Sequence, residues 1–183
     1  IYEKSNLKSD IKLSKNVVLT GMMGVGKSTV AKILANKLAF NFIDIDSLIE
    51  KQEGSSINLI FKNKSENYFR MIENKISLRE LKKENLVISL GGGAFMNNEI
   101  RKEVKNSSIS FWLDVNTNIL AQRLKKTRKR PLLFNKNLNE AINKIYMSRK
   151  KTYNQADFRI KCDSLKPEMI AEKIFKIYEN SEN

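Results

Sequence analysis

The 183-residue chain is long enough for one domain with its own core; its single cysteine, Cys162, and its lack of histidine exclude an internal disulfide and argue against a transition-metal centre, so any metal is expected to be a hard cation held by oxygen. The formal net charge of +14 comes from 26 Lys and only 8 Arg against 20 acids, with no aromatic-interleaved basic stripe, which argues against a nucleic-acid partner and leaves the arginines as the informative cations. No apolar run approaches the roughly 18 residues that span a bilayer and the lysine-dotted start lacks a signal-peptide core, so a cytoplasmic protein with no membrane partner is expected.

Residues 1–15 are polar and unpatterned and read as a flexible leader; residues 16–183 read as one domain without internal repeats. Val17, Val18 and Leu19 form a short apolar strand, and Val30, Ile33, Leu34 and Leu38 mark one face of a following helix. Between them, GMMGVGKST (Gly21 to Thr29) fills the spacing G-x-x-x-x-G-K-[ST]. Strand, loop, helix is the context in which glycine lets backbone N–H groups turn around phosphate oxygens at a helix N-terminus. The candidate nucleotide-binding residues here are Gly24, Val25, Gly26, Lys27, Ser28 and Thr29. Lys27 would reach the β- and γ-phosphates, and Ser28 would be a Mg²⁺ ligand.

Asn41 to Asp46 reads as the second strand, with Asp44 and Asp46 on one face at its end, able to approach a metal and an acceptor together. Asp46 could be a base for an acceptor hydroxyl; alternatively Asp46 or Ser47 caps a helix starting near Leu48. Ser65 to Leu81 is a helix with an apolar stripe of Phe69, Ile72 and Ile76. Arg70 borders the stripe, either solvated or held by Glu73. Leu86 to Leu90 is a third strand, running into Gly91, Gly92 and Gly93; three glycines in succession are costly unless a backbone or ligand comes very close. Ile109 to Leu113 is a fourth strand. The basic stretch from Arg123 to Arg130, stopped by Pro131, reads as a hinged flap rather than a continuous helix, or as a solvated basic loop. Leu138 to Tyr153 is a helix carrying Arg149, Phe158 to Cys162 a fifth strand, and Pro167 opens a last helix from Glu168 to Tyr178. Strands alternating with helices predict an α/β fold, a parallel sheet with helices on both faces and ligands beyond the C-terminal strand ends.

GMMGVGKS, FIDID, FRMIE, SLGGG, RPLL and Arg149 in a Y-x-x-R context follow one another in an order that resembles the shikimate kinase family, from about Asn16 to Glu179. The resemblance implies a P-loop kinase fold, a five-stranded parallel sheet of order 2-3-1-4-5 with a mobile lid at about residues 123–136. It implies transfer of a phosphoryl group from ATP to shikimate with Mg²⁺, in aromatic amino-acid biosynthesis, by a monomer. Asp44 matches the acid that helps organise Mg²⁺ and Asp46 the one that contacts the phosphorylated hydroxyl. Arg70, Arg149 and the backbone of Gly91, Gly92 and Gly93 match groups that hold the shikimate carboxylate and hydroxyls, and Phe61 and Phe69 match walls of that pocket. Arg130 matches a lid arginine that reaches the phosphates, and Arg123 one that lies against adenine. Gluconate kinase or a nucleoside-monophosphate kinase is the nearest alternative enzyme, and a nucleic-acid-binding ATPase the alternative of another class.

Overall fold

The computed structural model describes residues 15–125 and 137–182. The chain runs β1 (Asn16–Thr20), α1 (Lys27–Leu38), β2 (Asn41–Asp44), α2 (Ile45–Glu53), α3 (Ile57–Asn63), α4 (Glu66–Leu81), β3 (Leu86–Ser89), a 3₁₀ turn (Ala94–Met96), α5 (Asn98–Ser107), β4 (Ser108–Asp114), α6 (Thr117–Lys125), α7 (Leu138–Tyr153), β5 (Phe158–Lys161) and α8 (Pro167–Glu182). The five strands form one parallel sheet in the order β2-β3-β1-β4-β5, with helices on both faces. Every residue of β1, β3 and β4 is buried, as expected for strands covered on two sides.

The order has a consequence for binding. From β1 the chain crosses toward β2 on one side, and from β3 it passes over β1 to reach β4 on the other. The crevice outside the C-terminal end of β1 is therefore the topological switch point, where open α/β sheets bind ligands. Polar clamps hold the strands in register around it. The buried Asn16 side chain donates to Lys83 O at 2.6 Å and accepts from Leu86 N at 2.9 Å, tying the start of β1 to that of β3. On the other side, Asp157 accepts from the backbone N–H of Ser110 at 2.8 Å and from its hydroxyl at 2.6 Å, fixing β5 against β4. Phe111, Trp112, Leu34 and Ile88 lie in the core beneath.

Two boundaries differ from the sequence expectation. The strand expected to reach Asp46 ends at Asp44, and α2 begins at Ile45, not near Leu48. The cause is a cap: Asp44 Oδ1 accepts from Ser47 N at 2.9 Å, so Asp44 closes the helix, and neither Asp46 nor Ser47 does. Arg123 to Lys125, expected to open a flap, form the last turn of α6, where Leu124 packs inward. Arg130, Pro131 and the rest of the expected lid lie outside the described residues, as does residues 1–14 of the expected leader.

Candidate active site

At the end of β1 the loop expected to hold phosphate leads into α1. Gly26 is the helix N-cap with φ of 97°, a left-handed conformation that glycine adopts without steric cost, and no side chain caps the first turn. The free N–H groups and the helix dipole make this end an anion site. Lys27 is 92% buried in the fold's terms, with only 8% of its surface exposed, and its Nζ donates to Gly21 O at 2.9 Å and Met22 O at 3.0 Å. The ammonium is thereby folded over the loop. Gly24 is half-buried, Val25 is buried and Gly26 is exposed, and Ser28 and Thr29 are exposed in the first turn of α1. Ser28 Oγ donates to Asp44 Oδ2, so hydroxyl and carboxylate meet beside the helix N-terminus. Arg123, from α6, reaches Val25 O with Nη1 at 3.4 Å.

A cavity of about 510 Å³ opens next to this loop, lined by Met23, Asp46, Phe61, Phe69, Arg70, Glu73 and Arg149 together with Gly92 and Gly93. A second, more open cavity of about 480 Å³ lies against Ser28, Thr29, Lys32, Asp44 and Asp46. Asp46 lines both. It does so because it stands in the first turn of α2, which corrects the expectation that the two acids share a strand face. Asp44 turns back to cap the helix and meet Ser28, while Asp46, one step into the helix, stands between the cavities.

Arg70 and Arg149 come to the first cavity from different helices. Arg70, on α4, is held by Glu73 Oε2 at 2.7 Å from Nη1 and by Glu66 at 3.3 Å from Nη2, with its guanidinium 5.1 Å from the centre of the Phe69 ring. Phe61 and Phe69 form an apolar wall with ring centroids 4.8 Å apart. Arg149, on α7, donates to Gly92 O at 2.9 Å, and Tyr153 OH donates to the same carbonyl. Tyr153 is fully buried and stacked on Trp112 of β4 at 5.9 Å, so the loop carbonyl is anchored to the core.

The glycine triplet has its reason in these neighbours. A Cβ on Gly91 would sit 2.5 Å from Glu73 Oε1 and 2.8 Å from Asp46 Oδ1; one on Gly93 would sit 2.6 Å from Arg70 Nη1; one on Gly92 would sit 3.2 Å from Met23 N. Backbone approach is thus demanded by the phosphate loop at Gly92 and by charged side chains at Gly91 and Gly93. Electrostatics follow from the same crowding. Burial pushes the Glu73 carboxyl above the ordinary range, opposed by Arg70 and Arg149 and reinforced by Asp46. Burial likewise raises Tyr153, against the pull of Arg149.

Sequence reasoning missed Tyr153 and Met23. Tyr153 had a legible signal, since it stands four residues after Arg149 and so shares its helix face. Met23 had none, because a methionine inside a glycine-rich loop does not show which way it packs. Among the described residues no cluster of three or more Asp, Glu, His or Cys could hold a metal, and no helix is long and apolar enough to cross a membrane.

Comparison with known proteins gives the chain a family. The shikimate kinase family model matches residues 23–179. The chain is 41% identical over 169 residues to a shikimate kinase of Thermodesulfovibrio yellowstonii, covering 92% of this chain and 98% of that one. It is 44% identical over 160 residues to one of Persephonella marina, covering 87% and 96%. Among solved structures it is similar to shikimate kinase from Acinetobacter baumannii in complex with shikimate, with a TM-score of 0.88 and 29% identity over 92% of this chain and 94% of that one. The chain belongs to the shikimate kinase family.

Proposed function

We propose that this chain, as a member of that family, transfers the γ-phosphoryl group of ATP to a hydroxyl of shikimate, giving shikimate 3-phosphate for aromatic amino-acid biosynthesis. One observation supports the reading at the level of geometry: Asp46 lines both the open cavity against Ser28 and Thr29 at the start of α1 and the cavity that holds Arg70 and Arg149. A carboxylate at that seam can meet an acceptor hydroxyl on one side while the phosphate donor lies on the other.

In this reading Lys27 and the N–H groups from Gly24 to Thr29 cradle the β- and γ-phosphates. Arg70 and Arg149 hold the acceptor carboxylate with charge-assisted hydrogen bonds, and their separate helices fix its direction. Phe61 and Phe69 pack against the ring, and the Gly91 to Gly93 backbone borders its hydroxyls. Asp46 orients the attacking hydroxyl and takes its proton as the new O–P bond forms and the bond from γ-phosphorus to the β,γ-bridging oxygen breaks, the electron pair leaving with ADP. Buried Lys27 holds its charge where negative charge develops, which is worth most in a site shielded from water. Ser28 and Asp44, two hard oxygen donors already in contact, fit Mg²⁺, which takes few protein ligands and completes its shell with water and phosphate. Bound there, Mg²⁺ would neutralise phosphate charge. Arg130, outside the described residues, has the proposed role of a second cation on the phosphates, and Arg123 that of a partner to adenine. A monomer acting in the cytoplasm completes the proposal.

The experiment is a coupled ADP-release assay with shikimate, gluconate and nucleoside monophosphates as acceptors. Turnover with shikimate alone is expected. Turnover with either of the others and none with shikimate would overturn the reading, and ATP hydrolysis stimulated by DNA with steep salt dependence would favour a nucleic-acid ATPase instead.

A further inference from the structure

The two oxygens of Glu73 have unlike surroundings. Oε2 accepts from Arg70 Nη1 at 2.7 Å, whereas Oε1 is buried and has no hydrogen-bond partner among the described residues. That second oxygen shares a confined space with another acid, since Glu73 Oε1 and Asp46 Oδ1 both lie within 3 Å of the point where a Gly91 side chain would begin. Around Glu73 stand Arg70 from the same helix, Asp46 from α2, and Arg149 and Tyr153 from α7; Glu66 shares Arg70 from the solvent side. Only 2% of Glu73 is exposed, so its carboxyl is cut off from water, whereas Asp46 is half-buried and borders both cavities.

Two carboxylates this close in a low-dielectric site resist ionising together. Of the two, Glu73 has the orphan acceptor, and a proton there would turn an uncompensated lone pair into a donor. We infer that Glu73 couples acceptor binding to proton uptake: an anionic acceptor entering between Arg70 and Arg149 draws Arg70 away from Glu73, and Glu73 Oε1 takes up a proton from solvent. The inference rests on the reading that the acceptor is a carboxylate, as shikimate is. Burial and Asp46 already push the Glu73 carboxyl upward in the empty pocket, and the arriving charge pushes the same way. By linkage, affinity for the acceptor falls as pH rises between the empty-site and filled-site values, by up to about tenfold per pH unit for one proton. Glu73 is thus a positioning residue that gives up its charge when Arg70 is needed elsewhere.

The test is titration calorimetry of the full chain with shikimate alone, without nucleotide, in steps of pH from the ordinary glutamate range upward through neutrality. Buffers of different ionisation heat are used, so that the slope of observed heat against buffer heat counts protons. Net uptake is expected in the wild type, with affinity declining as pH rises. Both effects should vanish in Glu73→Gln and persist in Asp46→Asn, displaced to lower pH because the neighbouring charge is gone. Uptake that persists in Glu73→Gln and vanishes in Asp46→Asn would put the proton on Asp46 and overturn the inference. Binding without uptake at any pH overturns it without recourse to a variant. Absence of shikimate binding to the wild type is a different failure: it removes the reading of the acceptor, and the inference falls with it. Should Glu73→Gln not fold, ¹³C-carboxyl titration of the wild type with and without shikimate assigns the proton to Glu73 or away from it.

Discussion

Asp46 and Arg149 are the side chains at which the chemistry can be tested one atom at a time. Asp46→Asn keeps the shape of the residue between the two cavities and removes its capacity to take a proton, so turnover should fall by about 10²–10⁴-fold. ATP affinity, measured separately, should change little. The helix cap is not at risk in this variant because Asp44 supplies it. A loss of thermal stability with unchanged turnover would therefore count against Asp46 as the base. Arg149→Ala removes a charge-assisted hydrogen bond worth about 1.5–3 kcal/mol, or roughly 10–150-fold in shikimate affinity. Tyr153 still holds Gly92 O in that variant, so the glycine loop should stay in place. Arg149→Lys should rescue only in part, since an ammonium lacks the planar fork. Equal shikimate affinity in wild type and Arg149→Ala, by calorimetry, would mean that the carboxylate is held elsewhere. Arg70 is the less clean test, because its removal strips a buried carboxylate of its partner.

The start of α2 joins local folding to the proposed metal site. Asp44 caps the helix through Ser47 N and meets Ser28 through its other oxygen, so one residue closes a helix and contributes to the proposed Mg²⁺ site. The two roles separate by substitution. Asp44→Ser retains a capping oxygen and should stay near wild-type stability in chemical denaturation, whereas Asp44→Ala should lose about 0.5–2 kcal/mol. Both variants should need more Mg²⁺ to reach half-maximal rate. If the alanine and serine variants were equally stable, the cap would contribute nothing; if neither altered the Mg²⁺ requirement, Asp44 would have no part in holding the ion. The glycine loop after β3 is a comparable case, since its backbone is shaped by Met23, Glu73 and Arg70, which belong to three other stretches of chain.

Across the whole molecule, two buried glutamates on α4 give stability opposite pH dependences. Glu73 has a carboxyl raised by burial, so the folded state binds its proton more tightly than the unfolded chain, and stability falls as pH rises from the ordinary glutamate value of 4.5 through the folded value. At Glu80 burial also acts upward, but hydrogen bonds from Lys83 and Arg79 outweigh it and hold the carboxyl below that value. Its stabilisation is present above 4.5 and is lost as pH falls through the folded value. Denaturant unfolding across pH should show Glu73→Gln flattening the decline on the rising side and Glu80→Gln flattening the loss on the acid side. Identical pH profiles for the two variants would contradict the signs. Both glutamates sit on the element that also carries Arg70, so the proposed acceptor site draws on a helix with two oppositely titrating glutamates.

The phosphate loop was legible in the amino-acid sequence because it is local: glycine, lysine and serine at fixed spacing, between an apolar strand and an amphipathic helix, meet their physical requirements within one stretch of chain. The parallel sheet was legible because short apolar strands such as Ile109 to Leu113 alternate with helical stretches along the chain, and the buried strands follow from helices covering both faces. Arg70 beside Glu73 was readable from helical spacing alone. The strand order came only through resemblance to a family, because periodicity says nothing about which strands are neighbours. The end of β2 was misjudged because strand alternation and a capped helix start look alike over Asp44-Ile45-Asp46; the contact with Ser47 N decided it. Why three glycines stand in succession also lay beyond the sequence, which could only say that something must come close. Tertiary structure decided what: a backbone N–H from the phosphate loop, a carboxylate and a guanidinium from α4, brought from residues 23, 73 and 70 to one edge of the sheet. Contacts between residues far apart in the chain leave no periodic trace, and the juxtaposition of Glu73 with Asp46 arises only when α4 and α2 pack over the same glycine.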